Sequence, residues 1–253
     1  MIKEAGFTCT QLAPTKAIEG IGHFNDITPS TLNDIDKSFG NSGLEITVLG
    51  CYIEPSIPDI DKRLENVGIF RDNITYAKQL GVSIVGTETT HFNIDASPAE
   101  REIVYELLKD SVLRMVEQAE KENVIVGIEP VAEHTLNTPS LARRLLDEVN
   151  SDKLKIIFDP VNLVLPNTIN NQREIFKETF DLLGDDIVAV HVKDIIIEDN
   201  QKTWRNIGAG IIDYEYIFAW LHENKPNIRL LREGVEMDSH QDDRKTMEKL
   251  ARG

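Results

Sequence analysis

The chain has 253 residues, a length that suits one large domain or two small ones. Its 43 acidic and 27 basic residues give a formal net charge of −16, which argues against a protein that neutralises the phosphates of DNA or RNA. No apolar run is long enough to span a bilayer, so we expect no membrane partner. These quantities favour a protein that handles a small molecule, or one that holds a cation among acidic groups.

The cysteine content and the start of the sequence indicate a compartment. Cys9 and Cys51 are too few for a disulfide framework, and both fall in strand-like segments, where we expect reduced thiols. The first six residues lack the apolar core of a signal peptide. We therefore expect a cytoplasmic protein.

Short apolar runs alternate with amphipathic segments along the chain. The amphipathic segments carry helix start signals at Thr28, at Ser97 and at Asp213. Gly6 should end a helical tail at residues 2–6, and Gly40 should end the helix that begins after Thr28. The apolar runs are hydrophobic throughout, as in the strands of a parallel sheet covered by helices. They predict strands at residues 7–12, 44–49, 82–85, 124–129, 154–159, 187–192 and 228–233.

Two architectures fit this alternation, a (β/α)8 TIM barrel and an open doubly wound sheet. No Gly-x-Gly-x-x-Gly turn follows the early strands, which weakens the dinucleotide-binding version. We predict an α/β protein with a TIM barrel formed by residues 1–253 as a single domain, because no linker or composition break interrupts the chain. Only seven strands are predicted where a closed barrel has eight, so we expect the first strand and most of the first helix to be missing.

Four successive strands end in a side chain that can bind a metal: Glu129, Asp159, His191 and Glu233. Any one of them alone would fit an ordinary polar strand end, but a parallel barrel gathers such ends at one centre. Three carboxylates and one imidazole suit octahedral Mn²⁺, Mg²⁺ or Co²⁺ better than a closed zinc site. We predict one divalent ion, with Mn²⁺ as the first choice and Mg²⁺, Co²⁺ or Zn²⁺ as alternatives.

The motifs around these residues resemble the xylose isomerase-like sugar phosphate isomerase/epimerase family, a TIM-barrel group that includes ketose 3-epimerases and inosose dehydratases. The resemblance extends from about residue 2 to the end of the chain. It rests on the order and spacing of five short motifs, none of which is specific alone: Ile128-Glu129-Pro130, Phe158-Asp159-Pro160-Val161-Asn162, His191-Val192-Lys193-Asp194, Gly208-Ala209-Gly210 followed by Asp213, and Arg232-Glu233-Gly234.

The resemblance implies that Glu129, Asp159, His191 and Glu233 bind one divalent metal, and that Glu129 and Glu233 exchange protons with opposite faces of the substrate. A metal chelated by a carbonyl and a neighbouring hydroxyl stabilises the enediolate that forms when the adjacent proton leaves. A proton returned from the far side inverts the carbon, whereas a proton moved to the neighbouring carbon interconverts aldose and ketose.

Five side chains are candidates for contact with substrate: Glu88, His134, Asn162, Lys193 and Arg205. Many relatives carry histidine where Asn162 stands, and asparagine can hydrogen-bond but does not titrate near neutral pH. Lys193 should share the barrel face of His191, with a pairing to Asp194 or Glu198 as the alternative. Arg205 could clamp an anionic group.

We therefore predict a metal-dependent sugar or sugar phosphate isomerase or epimerase acting on a small carbohydrate or polyol, with a homo-oligomer left open. The runner-up is an inosose-type dehydratase, which needs the same metal-stabilised enolate but expels a hydroxyl. An endonuclease for damaged DNA shares the fold but needs a basic surface, which the net charge opposes. A non-catalytic sugar-binding remnant is the competitor from another class; Asn162 and the missing strand favour it, and the four retained ligands oppose it.

Overall fold

Seven parallel strands form one sheet that curls into a nearly closed barrel. The structure is a computed structural model that describes residues 2–234 and 239–252. The described strands are β1 (Cys9–Leu12), β2 (Glu45–Gly50), β3 (Ile84–Glu88), β4 (Ile125–Glu129), β5 (Leu154–Phe158), β6 (Ile187–Val192), β7 (Asp194–Glu198), β8 (Gln201–Arg205) and β9 (Arg229–Arg232). The barrel sheet has the order β1-β2-β3-β4-β5-β6-β9, so all seven predicted strands and the predicted TIM-barrel class are confirmed.

Helices connect successive strands and cover the outside of the sheet. They are α1 (Pro14–Ala17), α2 (Pro29–Ser42), α3 (Ile60–Gln79), α4 (Pro98–Glu122), α5 (Pro139–Val149), α6 (Pro160–Leu163), α7 (Gln172–Leu183), α8 (Tyr214–Asn224) and α9 (His240–Arg252). Within residues 2–234 and 239–252, no helix combines the length and the apolar character needed to cross a membrane.

Side chains that cap helix N-termini set several of the helix starts as predicted. The side chains of Thr28, Ser97 and Asp213 accept backbone N–H groups at the starts of α2, α4 and α8. The predicted end of α2 at Gly40 is wrong, because the helix continues to Ser42 and ends at Gly43. Only Gly43 adopts the left-handed conformation, with φ of 63°, that a helix end of this kind requires.

A turn occupies residues 2–6, where a helical tail was predicted. The Phe7 amide donates to the Ile2 carbonyl at 3.4 Å, and the Gly6 amide donates to the Lys3 carbonyl at 3.0 Å. These are the two hydrogen bonds of a Schellman helix ending, and Gly6 has the positive φ of 91° that this ending needs. The sequence of residues 2–6 therefore has the pattern of a helix C-terminus, although these residues form only a turn.

The barrel interior below the site is narrow and filled by small and branched side chains. Val48, Ile84, Ile157, Ala189 and Leu231 form its apolar cluster. A Cβ atom added at Gly127 would lie 2.9 Å from the Cδ1 atom of Ile157, so this position accepts only glycine without movement. A filled interior leaves the C-terminal ends of the strands as the place where side chains can meet a ligand.

The two edge strands of the sheet, β1 and β9, approach each other at the seam of the barrel. Side chains span this seam at both ends. The Arg229 guanidinium on β9 pairs with the Glu45 carboxylate on β2 at 2.9 Å, and His191 on β6 contacts Gln11 on β1 at 3.0 Å. The seam therefore closes through side-chain contacts rather than through a continuous backbone ladder in the described residues.

An antiparallel hairpin of β7 and β8, which was not predicted from the sequence, follows directly after β6. Asp199 and Asn200 form its turn with positive φ angles of 50° and 61°. The sequence does contain a hairpin pattern, which consists of an apolar run, a two-residue Asp-Asn turn and a second strand-like run. The hairpin places Lys202 and Trp204 beside the strand ends.

Candidate metal centre

The ends of β4, β5 and β6 bring Glu129, Asp159 and His191 together. One ligand atom from each residue lies within 4.8 Å of the other two. The His191 Nδ1 atom is 3.1 Å from Glu129 Oε2 and 3.6 Å from Asp159 Oδ2. All three side chains are buried, with Asp159 fully so. The three side chains lie close together because β4, β5 and β6 pair in parallel and therefore end at the same edge of the barrel.

Glu233 completes the group from the other side of His191. It follows β9 directly, and its amide donates to the Val192 carbonyl at 3.1 Å. Its Oε2 atom lies 3.8 Å from His191 Nδ1, and its side chain is 44% exposed. The four predicted metal ligands therefore converge, with Glu233 at the accessible edge of the group.

The His191 ring is oriented by Gln11, a residue that the sequence analysis missed. His191 Nε2 lies 3.0 Å from Gln11 Oε1, which can only accept, so Nε2 carries the proton and donates. The Gln11 amide in turn donates to the Tyr52 hydroxyl at 2.5 Å. Nδ1 is thereby directed at the carboxylates. Gln11 and Tyr52 lie at or just past the ends of β1 and β2, so the strand-end rule that identified the candidate metal ligands could also have found these two residues.

The charges around His191 favour its protonated form. Burial alone would lower its pKa, but the carboxylates of Glu129 and Asp159, which lie 3.1 and 3.6 Å from Nδ1, raise the pKa of His191 to about 10. Burial likewise opposes ionisation of Asp159, yet the positive charges of Lys193 and His191 lower the pKa of Asp159. The centre thus attracts positive charge at the position between the carboxylates.

Two buried atoms of this group fit a divalent cation. In the described part of the chain, Asp159 Oδ2 and His191 Nδ1 have no hydrogen bond of normal geometry. The other carboxylate oxygen, Asp159 Oδ1, accepts the amides of Val161 and Asn162 at 2.9 and 3.0 Å and so caps α6. The contacts of these two atoms are ion pairs, with the Lys193 ammonium 2.8 Å from Asp159 Oδ2 and the Glu129 carboxylate 3.1 Å from His191 Nδ1. Oxygen ligands with one imidazole nitrogen are a donor set for Mg²⁺, Mn²⁺ or Zn²⁺.

Asn162, which was predicted to contact substrate, forms a hydrogen bond with Glu129. Its Nδ2 atom donates to Glu129 Oε1 at 2.6 Å. This hydrogen bond occupies one carboxylate oxygen and leaves Glu129 Oε2 facing His191. A direct contact of Asn162 with substrate stays a prediction, and its described contact is one that orients Glu129.

Lys193 is a buried cation inside the group of carboxylates. Its Nζ atom lies 2.8 Å from both Asp159 Oδ2 and Glu233 Oε2. Burial would lower its pKa, but the charges of Asp159, Glu233 and Glu129 raise the pKa of Lys193 above its ordinary value. The alternative pairing is wrong, because Asp194 instead accepts backbone amides, including that of Gly210 at 3.0 Å.

Glu88 and His134 lie together on the same rim. Glu88 is the partner of Glu129 in the register of β3 and β4. Its Oε2 atom is 3.9 Å from His134 Nδ1. Burial and the charge of Glu129 raise the pKa of Glu88 to about 7, while burial and the neighbouring His91 lower the pKa of His134. Near neutral pH, this rim therefore offers a carboxyl group that can carry a proton.

The β7–β8 hairpin presents Lys202 to the site more closely than Arg205. Arg205 pairs with Glu198 at 3.3 Å on the hairpin itself, and its predicted clamp on an anion stays a prediction. Lys202 Nζ donates to the Val161 carbonyl at 2.8 Å, beside the Asp159 loop. Burial lowers the pKa of Lys202. Lys202 could not be chosen from the sequence pattern, because the hairpin was not predicted.

A cavity of about 320 Å³ adjoins the centre at the seam between β1 and β9. It is open to solvent and reaches His191 and Glu233. Polar and apolar side chains line it together: Phe7, Gln11, Lys16, Tyr52, His191, Leu231 and Glu233. The accessible edge of the metal centre therefore has room for a small molecule.

Solved structures with this fold include several enzymes of sugar chemistry. A D-tagatose 3-epimerase-like protein has a TM-score of 0.81 at 18% identity, covering 99% of this chain and 91% of its own. The 3-keto-D-glucoside 4-epimerase YcjR of E. coli, in apo form, has a TM-score of 0.77 at 18% identity and covers 100% and 92%. The IolI protein with a bound zinc atom has a TM-score of 0.73 at 16% identity and covers 99% and 90%. At these identities the likeness shows the fold.

The sequence itself identifies the family. No curated protein sequence matches the chain. A family model described as the xylose isomerase-like TIM barrel matches residues 1–251, nearly the whole chain. With the nearly closed parallel barrel and the converging Glu, Asp and His side chains, this match leads to one conclusion. The chain belongs to the xylose isomerase-like TIM-barrel family.

Proposed function

We propose that this protein is a divalent-metal-dependent isomerase or epimerase of small carbohydrates or polyols, working by proton transfer next to a carbonyl. The observation that carries the proposal is the placement of Glu129 and Glu233. They come from β4 and from the end of β9, on the two sides of the strand ends that supply Asp159 and His191. A substrate held at this centre would have one carboxylate on each side.

Glu129, Asp159, His191 and Glu233 would hold the metal. When bound, the ion would polarise the substrate carbonyl and offset the negative charge that develops on its oxygen. Mn²⁺ is our first choice because three oxygen ligands and one nitrogen suit it, while the zinc atom of the IolI structure supports the same kind of centre. The precise ion is tested by competition between Mn²⁺, Mg²⁺, Co²⁺ and Zn²⁺.

Glu129 is the better placed base. Its side chain is buried, and the hydrogen bond from Asn162 fixes one oxygen while the other faces the centre. Glu233 is partly exposed at the cavity and can exchange its proton with solvent. Removal of a proton by one carboxylate and return of a proton by the other, on the opposite face, would invert the carbon and give an epimer.

A dehydratase acting on an inositol-derived ketone is the second candidate, and Glu88 favours it. Loss of a hydroxyl needs an acid in addition to the base that removes the carbon-bound proton. Glu88, with its pKa raised to about 7 by burial and by Glu129, is a carboxyl group able to supply that proton near neutral pH. Analysis of the product separates the two candidate reactions, because only dehydration removes a water molecule from the substrate.

The test is exchange of the carbon-bound proton in deuterium oxide. The metal-loaded protein is incubated with a panel of ketoses, ketose phosphates and inositol ketones, and deuterium is followed by NMR. The parent should incorporate deuterium next to the carbonyl of at least one substrate, and Glu129→Gln should slow this by about 10²–10⁴-fold. Glu178→Gln, an equal change on the exposed face of α7, is the control and should leave the rate unchanged.

Two results would contradict the proposal. One is exchange at the parental rate in Glu129→Gln. The other is a metal-loaded parent that exchanges no proton with any member of the panel, which would favour a protein that binds sugars without turning them over.

A further inference from the structure

Lys193 is a buried lysine in direct contact with two of the predicted metal ligands. Its side chain is 4% exposed, and its ammonium lies 2.8 Å from one oxygen of Asp159 and one of Glu233. The Asp159 oxygen is the same Oδ2 atom that has no normal hydrogen bond in the described residues and faces His191. The ammonium therefore contacts the atom that a metal ion would use.

The backbone holds Lys193 firmly at this place. The Tyr214 hydroxyl accepts the Lys193 amide at 3.0 Å and donates to the Lys193 carbonyl at 2.6 Å. The next residue, Asp194, anchors the loop at Gly210, where a Cβ atom would lie 2.0 Å from its carboxylate. The Trp204 ring covers the ammonium at 5.4 Å from its centroid. These contacts hold the backbone of Lys193 in place, and the Trp204 ring covers its ammonium.

In the described part of the chain, the ion pairs that join a lysine or an arginine to a predicted metal ligand are those of Lys193. Three carboxylates that converge in a buried space repel one another unless a positive charge lies among them. A divalent ion would supply that charge, and the ammonium supplies part of it without metal. The two cations share the Asp159 and Glu233 oxygens and repel each other.

We propose that Lys193 is an internal counter-ion that competes with the divalent metal: it holds Asp159 and Glu233 together when no metal is bound, and it lowers the affinity of the centre for the ion. The inference rests on the proposed function only in taking this centre as the place where the metal binds. Lys193 is a positioning residue for the predicted ligands. Because its ammonium keeps the carboxylates together without metal, the centre binds and releases the ion reversibly while its geometry is retained.

Replacement of Lys193 by methionine tests the competition. Methionine keeps an unbranched side chain and removes the charge. Metal-stripped Lys193→Met should bind Mn²⁺ about tenfold more tightly than the parent by calorimetry, because one positive charge at contact distance is lost. In EDTA, the same variant should melt at a lower temperature than the parent, and added Mn²⁺ should raise its melting temperature by more. Lys193→Arg keeps the charge and should bind Mn²⁺ as the parent does.

Lys202→Met is the matched control. It removes the same charge from the neighbouring hairpin, where the described contact of Lys202 is with the Val161 carbonyl and not with a carboxylate of the centre. Its effect on Mn²⁺ affinity should be clearly smaller than that of Lys193→Met. Equal effects would attribute the change to net charge and overturn the role of direct contact.

The outcomes separate this inference from the proposed function. If the parent binds Mn²⁺ and Lys193→Met binds it equally or more weakly, the competition is refuted while the metal centre stands. If neither the parent nor the variants bind Mn²⁺, the metal centre itself is refuted, and the inference with it. If Lys193→Met does not purify, Lys193→Gln replaces it in the same comparison.

Discussion

Single side chains decide which atoms of the centre can reach a metal. Gln11 fixes the His191 ring through Nε2, Asn162 occupies one oxygen of Glu129, and the α6 amides occupy Oδ1 of Asp159. In His191, Glu129 and Asp159, one polar atom is held by the protein and the other is turned inward. This arrangement orients the candidate ligand atoms before a metal binds. Hydrogen-bond partners of metal ligands raise metal affinity in this way.

Loss of the Gln11 contact should weaken metal binding. Gln11→Leu removes the acceptor for His191 Nε2 and releases the ring, so we expect Mn²⁺ affinity to fall by about 10–100-fold. Calorimetric titration measures this directly. Gln201→Leu, at an exposed position of β8, is the control and should bind as the parent does. Parental affinity in Gln11→Leu would show that the ring is held by its other contacts.

The raised pKa of His191 predicts a pH dependence of stability without metal. A folded pKa of about 10 against an ordinary value of 6.5 means that the folded protein binds this proton more tightly. The stabilisation is complete below the ordinary value and is lost as the pH rises towards 10. In EDTA, the melting temperature of the parent should therefore decline across this window more than that of His191→Gln. Parallel declines would contradict the charge assignment of His191.

At the level of elements, the strand ends position the site and could be predicted well. All seven barrel strands were found from sequence because strands buried on both faces are continuous apolar runs. Their ends then identified Glu129, Asp159, His191 and Glu233. The end of α2 was misplaced because Gly40 and Gly43 both look like stops, and only the backbone angle distinguishes them. The β7–β8 hairpin was missed although its Asp-Asn turn was visible.

The narrow barrel interior predicts that β4 does not tolerate a side chain at Gly127. In Gly127→Ala the new methyl group would lie 2.9 Å from Ile157 and 3.0 Å from Ile84, so these buried side chains would have to shift. We expect a loss of about 1–3 kcal/mol in the free energy of unfolding, measured in urea. Gly68→Ala in α3, where nothing lies within 4 Å, is the control and should be neutral or slightly stabilising. Equal stability of the two variants would contradict the packing described here.

At the scale of the whole molecule, the site joins residues that are far apart in sequence. Gln11 meets His191 across 180 positions, and Lys193 meets Glu233 across 40. Periodicity and strand ends identify which side chains lie at one end of the barrel, but not which atoms touch. For this reason the convergence of Glu129, Asp159, His191 and Glu233 was predictable, while the contacts of Asn162, Lys193 and Gln11 needed the folded structure.

Binding of a metal at one centre should also be visible in the stability of the whole fold. An ion that binds only the folded chain stabilises it by mass action, by about 2.7 kcal/mol at a free concentration of 100 times Kd. The acidic composition, with a net charge of −16, makes weak cation binding at the surface expected as well. A site-specific comparison is needed to separate the two effects.

Metal content combined with single-ligand variants is the most direct test of the metal centre. The purified parent should carry, or take up from Mn²⁺, about one ion per chain with high affinity. Asp159→Asn, which keeps the acceptor that caps α6, and His191→Gln should both lose this ion, whereas Asp181→Asn on the exposed face of α7 should retain it. A parent without a tight ion, or variants that bind as the parent does, would contradict the account.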